Sequence, residues 1–227
     1  MSTDWIENVN NVFLVTSQVK RLYRQHSRQK SARVPISTNG LLQVVYAVSG
    51  WDIKIFEIDP EVNWSPKKFK GMLQKDTDQK KAVLLIPQLR DDEKGIVGVS
   101  RCERRFAVLK EICHLLIDDP GEKISSLSHL VQRITSSAQM LIPVGEDDPI
   151  LRQEYFAELA AVELLFWSEH RDDRFKRVTS GELTELDIAT EFLVPECKIA
   201  NIRQYHEFIE RFREQHLDCM DESMVAL

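Results

Sequence analysis

The chain has 227 residues, 43% of them hydrophobic, and a formal net charge of −6. This length and apolar content suit one domain with a sizeable core and exclude a largely disordered protein. No apolar run approaches the roughly 18 residues of a membrane span, and the polar start Met1-Ser-Thr-Asp4 is unlike a signal peptide, so we expect a soluble, cytoplasmic protein.

The first half of the chain predicts two helices followed by a small sheet. Apolar residues recur at helical spacing over residues 4–29, and a short helix over Leu41–Val48 ends at Ser49-Gly50. Runs rich in β-branched and aromatic residues predict strands over 51–58, 69–73 and 82–87. We expect the last two strands to form a hairpin, and the three together to form a small, largely antiparallel sheet.

The second half of the chain predicts mainly helices. They are expected over residues 101–117, 125–140 and 147–167, with a closing helical pair over 183–215. The pattern therefore predicts an α+β fold with a mainly helical body. We divide it into an N-terminal helix and linker (1–34), one main domain (35–217) and a tail (218–227).

The helix over 101–117 contains a variant of a zinc-binding motif. In HExxH, two histidines four residues apart lie on one helix face and bind zinc, and the glutamate activates the zinc-bound water. Here the string is Lys110-Glu-Ile-Cys-His114, so Glu111 and His114 are kept and Lys110 replaces the first histidine. A lysine ammonium is protonated at neutral pH and has no lone pair for a metal. The substitution removes one expected ligand.

A second pair of acidic residues lies on the helix over 147–167. Glu154 and Glu158 are four residues apart and share a helix face. One carboxylate could therefore reach a metal while the other orients a ligating histidine as its hydrogen-bond partner. The alternative is that both glutamates belong to a solvated helix face. Likewise, His114 could be a buried histidine that is hydrogen-bonded to a carboxylate and binds no metal.

These motifs together resemble the ImmA/IrrE family of metallo-endopeptidases. Arg105-Phe-Ala-Val-Leu-Lys-Glu-Ile-Cys-His-Leu-Leu116 is similar to the family pattern RF-x-x-AHELGH-x-L. The segments Glu154–Trp167 and Asp187–Arg203 resemble the downstream family motifs E-x-x-A-(N/D/E)-x-x-A-x-x-LL-x-P and IA-x-x-F-x-VS-x-x-A-x-x-R, although Trp167 replaces the proline. The resemblance extends over roughly residues 35–205.

The resemblance implies a metallopeptidase-like fold and a role for each motif residue. Glu111 would be the general base, His114 and Glu154 would be zinc ligands, and Glu158 would support the site. Two protein ligands hold zinc far less well than three, so we expect weak or absent zinc binding. Cys113 is the nearest candidate for a further ligand, but adjacent helical residues diverge by about 100°.

Three functions follow from these observations. The leading one is a degenerate, regulatory member of the family, because the resemblance implies a helix-turn-helix transcriptional repressor as the protein partner. The second is an active zinc endopeptidase with an unusual ligand set, in which Glu111 activates water. The third, weaker one is a nucleic-acid-associated protein that uses the basic residues Lys20, Arg21, Arg24, Arg28, Lys30 and Arg33. The acidic net charge argues against this third function.

Overall fold

A computed structural model describes residues 3–27, 34–58, 71–96, 98–117, 149–203 and 206. Its helices are α1 (Thr3–Ser27), α2 (Thr38–Ser49), α3 (Arg101–Ile117), α4 (Pro149–Leu165), α5 (Ser168–Thr179) and α6 (Glu185–Phe192). Residues 196–203 are also helical and are called α7 here. The strands are β1 (Asp52–Ile58), β2 (Met72–Asp76) and β3 (Lys81–Pro87). The expected α+β class is confirmed.

The sheet has three strands in the order β1-β3-β2. β2 and β3 form the expected antiparallel hairpin, with Met72 opposite Leu85 and Asp76 opposite Lys81. β1 pairs with β3 in parallel, with Asp52 beside Lys81. The prediction of a largely antiparallel sheet was therefore wrong in this respect, because the sheet is mixed and its longest pairing is parallel.

Of the strand predicted over 69–73, residues 69 and 70 lie outside the described residues, and β2 itself runs from Met72 to Asp76, three residues beyond the predicted end. β2 is an edge strand of the described sheet, so it can carry polar residues on its open side, and only Leu73 is buried in it. The Asp76 carboxylate accepts hydrogen bonds from the backbone N–H groups of Asp78 and Gln79. This side-chain cap places the turn after Asp76, where sequence reasoning expected only a polar connection.

α3 lies at the centre of the molecule. It contacts β2, β3 and the helices α1, α2 and α4, and every residue from Arg105 to Leu115 is buried. Its first turn is capped by Ser100, whose hydroxyl accepts a hydrogen bond from the Glu103 N–H while the Glu103 carboxylate accepts one from the Ser100 N–H. The charged residues of this buried stretch must therefore find hydrogen-bond or ion partners inside the protein.

The remaining helices complete the core around α3 and α4. α1 packs on α2 and α4, and α2 ends at Gly50 in a left-handed conformation (φ 67°), as the sequence predicts. α5 was not predicted, and it follows α4 almost directly. Of the helices that the structure describes, none is both long enough and apolar enough to cross a membrane.

Some predictions concern residues that the structure does not describe. The helix expected over 125–140 and the tail 218–227 lie outside the described residues. The same holds for the end of the N-terminal helix beyond Ser27 and for the last part of the closing helical pair.

Candidate functional site

The candidate site lies where α3 packs against α4. α3 carries Lys110, Glu111 and His114, and α4 carries Glu154 and Glu158. All five side chains are buried, with exposed fractions between 1% and 7%. The spacing of four residues on each helix places these groups along the shared interface. A solvated face for Glu154 and Glu158 is therefore wrong.

Glu154 is the residue at which the two helices meet. One of its carboxylate oxygens, Oε2, accepts a hydrogen bond from Lys110 Nζ at 2.7 Å, and the other, Oε1, lies 3.3 Å from His114 Nε2. Lys110 Nζ also lies 3.1 Å from Glu111 Oε1. The structure thus brings together Glu111, His114 and Glu154, the three residues that the resemblance selects. The Lys110 ammonium lies between the carboxylates of Glu111 and Glu154.

Glu158 has a partner that sequence reasoning missed. Its Oε2 accepts a hydrogen bond from Lys198 Nζ, a buried pair that joins α4 to α7. The Lys198 ammonium also lies 5.2 Å from the centre of the Phe106 ring on α3. Among the described residues, the hydrogen-bond partner of Glu158 is therefore this lysine, whereas a histidine was expected.

Gly71 is a further residue that the sequence did not single out. Its backbone has φ 144°, which favours glycine, and a Cβ at this position would come within 3.0 Å of Glu111 Cγ and Oε1. The backbone immediately before β2 therefore lies against the Glu111 side chain. It fixes one wall of the site and limits where that carboxylate can point.

The buried charges nearly balance. Lys110 and Lys198 supply two positive charges to the carboxylates of Glu111, Glu154 and Glu158. Burial by itself would lower the pKa of Lys110, but attraction to Glu111, Glu154 and Glu158 and the hydrogen bond to Glu154 together raise this pKa above its ordinary value. Lys110 is therefore an ammonium at neutral pH.

The donor set at this position does not suit zinc. Zinc needs lone pairs from nitrogen, sulfur or oxygen, and Lys110 offers N–H donors 2.7 Å from the carboxylate expected to be a ligand. Within the described part of the chain, no group of three or more His, Cys, Asp or Glu side chains is arranged to hold a metal ion. Cys113 is buried on α3 but joins no such group. The chemistry of the site is that of a buried ion cluster.

The basic residues near the end of α1 are engaged within the fold where the structure describes them. Lys20 Nζ lies 2.8 Å from the buried carboxylate of Glu163. Arg24 pairs with Glu169 and lies 4.7 Å from the centre of the Trp167 ring. Arg21 is exposed, whereas the other three basic residues of the cluster lie outside the described residues. Lys20 and Arg24 thus help to attach α1, which leaves them poorly placed to bind phosphates.

The closing helical pair also serves packing. Ile188 of α6 and Ile199 and Ile202 of α7 are buried in the core, and the one buried cation of α7, Lys198, faces Glu158. The described contacts of this segment are therefore those of core packing.

Comparison with known proteins adds no relative to this description. No protein-family model, no curated protein and no solved structure matches the chain. The resemblance to ImmA/IrrE metallopeptidases stays a hypothesis that rests on the sequence motifs.

Proposed function

We propose that this protein is a regulatory member of an ImmA/IrrE-like metallopeptidase class, in which an internal ammonium replaces the zinc ion. The supporting observation is the buried Lys110–Glu154 pair, with Nζ and Oε2 2.7 Å apart. A positive charge stands beside the carboxylate that a metal would otherwise neutralise. The protein then acts by binding its partner and not by efficient proteolysis.

The position of Glu111 supports this proposal. A general base must present a carboxylate oxygen to the water whose proton it takes. Glu111 Oε1 instead lies 3.1 Å from the Lys110 ammonium, and its side chain is confined by Gly71. The ammonium therefore competes for the oxygen that would accept the proton.

We further propose that the partner is a helix-turn-helix transcriptional repressor in the cytoplasm. This part of the proposal rests on the resemblance, since family members commonly act on such repressors. The protein would relieve repression by binding the repressor and removing it from its operator.

The test is a reporter assay with the helix-turn-helix repressors that are encoded in the same genome as this protein. Each repressor controls a reporter gene through its own operator, and the protein is co-expressed as the parent, as Glu111→Gln or as the control Glu182→Gln. Glu182 is exposed and lies on the segment after α5, so its substitution matches the charge change away from the site. Thermal melts establish that all three forms are folded.

The proposal expects Glu111→Gln to relieve repression as well as the parent, with the repressor intact on immunoblots. Loss of relief in Glu111→Gln alone, together with repressor fragments produced by the parent, would establish the zinc endopeptidase alternative. If no repressor in the set responds to the parent protein, the proposed partner is wrong.

A further inference from the structure

A recess lies at the N-terminal end of α3, and no residue of the ion cluster lines it. It has a volume of about 390 Å³ and is bounded by the start of α2, the start of α3, β1 and β3 with the residues that follow it, and the end of α6. Small-molecule sites have volumes of about 300–1,000 Å³. The recess is therefore large enough for a small ligand.

The lining of this recess is positively charged. Arg101, Arg104 and Arg105 all contribute to it, and none of its described lining residues is acidic. The chain as a whole has a net charge of −6. Three arginines around one recess are therefore a local departure from the charge of the protein and favour an anion there.

The charge of Arg105 is not balanced by a carboxylate among the described residues. The guanidinium is buried and donates hydrogen bonds to Thr38 Oγ1 at 2.9 Å and to the backbone carbonyls of Ile36, Phe192 and Leu193. It forms no ion pair with any carboxylate that the structure describes. Burial, with the nearby Arg101 charge, lowers the pKa of Arg105 to about 10, although Cys102 and Tyr23 oppose this shift. A nearby anion would relieve this cost.

The other two arginines have donors left for a ligand. Arg104 pairs with Glu57 of β1 through Nη2, but its Nε is buried and has no hydrogen-bond partner among the described residues. Arg101 is exposed and forms no ion pair within the described part of the chain. The N-terminus of α2 adds the partial positive charge of its first backbone N–H groups at Thr38 and Asn39.

The recess also has an apolar wall. Leu42 of α2, Ile55 of β1 and Leu89 after β3 line it, and Leu89 is 39% exposed. A fully hydrated ion such as inorganic phosphate would leave this wall uncovered. The lining therefore suits an anionic head on an apolar body.

We propose that this recess binds a small organic anion, a carboxylate or phosphate monoester attached to an aliphatic chain. Arg101 and Arg104 hold the head, and Leu42, Ile55 and Leu89 cover the chain. The buried Arg105 adds to the positive potential of the recess. The proposal is independent of the function of the ion cluster and of any repressor.

Binding is tested by NMR titration of the full-length protein with octanoate and octyl phosphate, below the concentrations at which they form micelles. Octanamide has the same chain without the charge, and octylammonium has the opposite charge. The variants are Arg101→Gln with Arg104→Gln, and separately Leu89→Asp. Arg177→Gln is the matched control, because Arg177 lies on α5 and pairs only weakly with Glu182 at 3.4 Å.

The proposal expects at least one of the two anions to bind at least about tenfold more tightly than octanamide or octylammonium. The double arginine variant and Leu89→Asp should each weaken that binding by about tenfold or more, whereas Arg177→Gln should not. Tighter binding of octanoate would identify a carboxylate ligand, and tighter binding of octyl phosphate would identify a phosphate monoester.

Three results would overturn the proposal. They are failure of both anions to bind, equal binding of octanamide, and binding that is unchanged in the double arginine variant. Since both substituted arginines are at least partly exposed, loss of the fold is not expected to obscure the comparison.

Discussion

Lys110 combines two effects in one side chain. It removes the imidazole that zinc would need, and it supplies a positive charge to carboxylates that would otherwise repel one another. Because the folded state raises the pKa of Lys110 above its ordinary value of 10.5, its stabilising effect is complete below that pH. The effect is lost only as the pH rises through the higher folded pKa, so neutral pH leaves it intact.

Replacing Lys110 with histidine should create a zinc site. Lys110→His restores two imidazoles four residues apart on α3, opposite Glu154, which is a common three-ligand set for zinc. We expect a dissociation constant in the micromolar range or tighter, measured by calorimetric titration. Lys110→Gln is the control, since it removes the same charge without adding a ligand and should not bind zinc. If a folded Lys110→His protein does not bind zinc, the positions of His114 and Glu154 are unsuitable for a zinc site as well.

Removing the Lys110 side chain should destabilise the fold without creating a metal site. Lys110→Ala leaves Glu111 and Glu154 buried with less positive charge nearby, and loss of one partner of a buried ion pair costs about 3–5 kcal/mol. Urea unfolding at neutral pH measures this change in the free energy of unfolding. Adding Glu154→Gln to Lys110→Ala should recover part of the loss, because the unpaired carboxylate is then removed.

The matched control for this experiment is Lys94→Ala. Lys94 is exposed and pairs with Asp91 at 3.0 Å on the surface, so its removal should change the free energy of unfolding by less than about 1 kcal/mol. If Lys110→Ala unfolds at the same urea concentration as Lys94→Ala, the buried ammonium is not needed for stability.

At the level of helices and strands, local signals in the sequence were the reliable ones. α3 has the predicted bounds, 101–117, because loop signals at Asp91–Gly95 precede it and the helix-breaking run Asp118-Asp119-Pro120-Gly121 follows it in the sequence. α5 was missed because its sequence is mostly charged and only Arg171 and Phe175 are buried in it. A helix with so narrow a buried face gives little periodic signal.

The strand pairing depends on contacts that the sequence does not encode locally. The hairpin of β2 and β3 was predicted because a short polar segment separates two apolar runs. β1 pairs directly with β3, although β2 lies between them in the sequence. The direction of such a pairing is decided by the connection between the strands and by their packing on α3. Alternation of residues within β1 is the same in a parallel and an antiparallel pair.

The residues of the candidate site also fall into those that local sequence features identify and those that they do not. Glu111, His114 and Glu154 were selected from the sequence because helical spacing of four residues and the family pattern mark them. Lys198 was not selected, since it lies 40 residues from Glu158 and neither residue has a local feature that identifies the other. Pairing between distant helices is a property of the packed molecule.

For the whole molecule, α1 is an integral part of the core. Val9, Val12, Phe13, Val19 and Tyr23 are buried between α1 and the rest of the protein. The Tyr23 hydroxyl accepts a hydrogen bond from the Ser37 N–H at 3.2 Å, and its ring packs edge-on against Trp167 with centroids 6.0 Å apart. These contacts tie α1 to α2 and to the junction between α4 and α5.

A chain that begins at residue 34 should therefore fail to fold cooperatively. Burial of a large apolar side chain stabilises a protein by about 1.5–3 kcal/mol, so loss of these five residues removes roughly as much free energy as the about 5–15 kcal/mol that keeps a domain folded. Circular dichroism melts of the 34–227 chain should show a broad, non-cooperative transition. In the full chain, Phe13→Ala should cost about 3–5 kcal/mol, whereas Arg21→Ala, on the exposed side of the same helix, should cost less than about 0.5 kcal/mol. A sharp melt of the shortened chain at the parent temperature would instead show that α1 is a separable appendage.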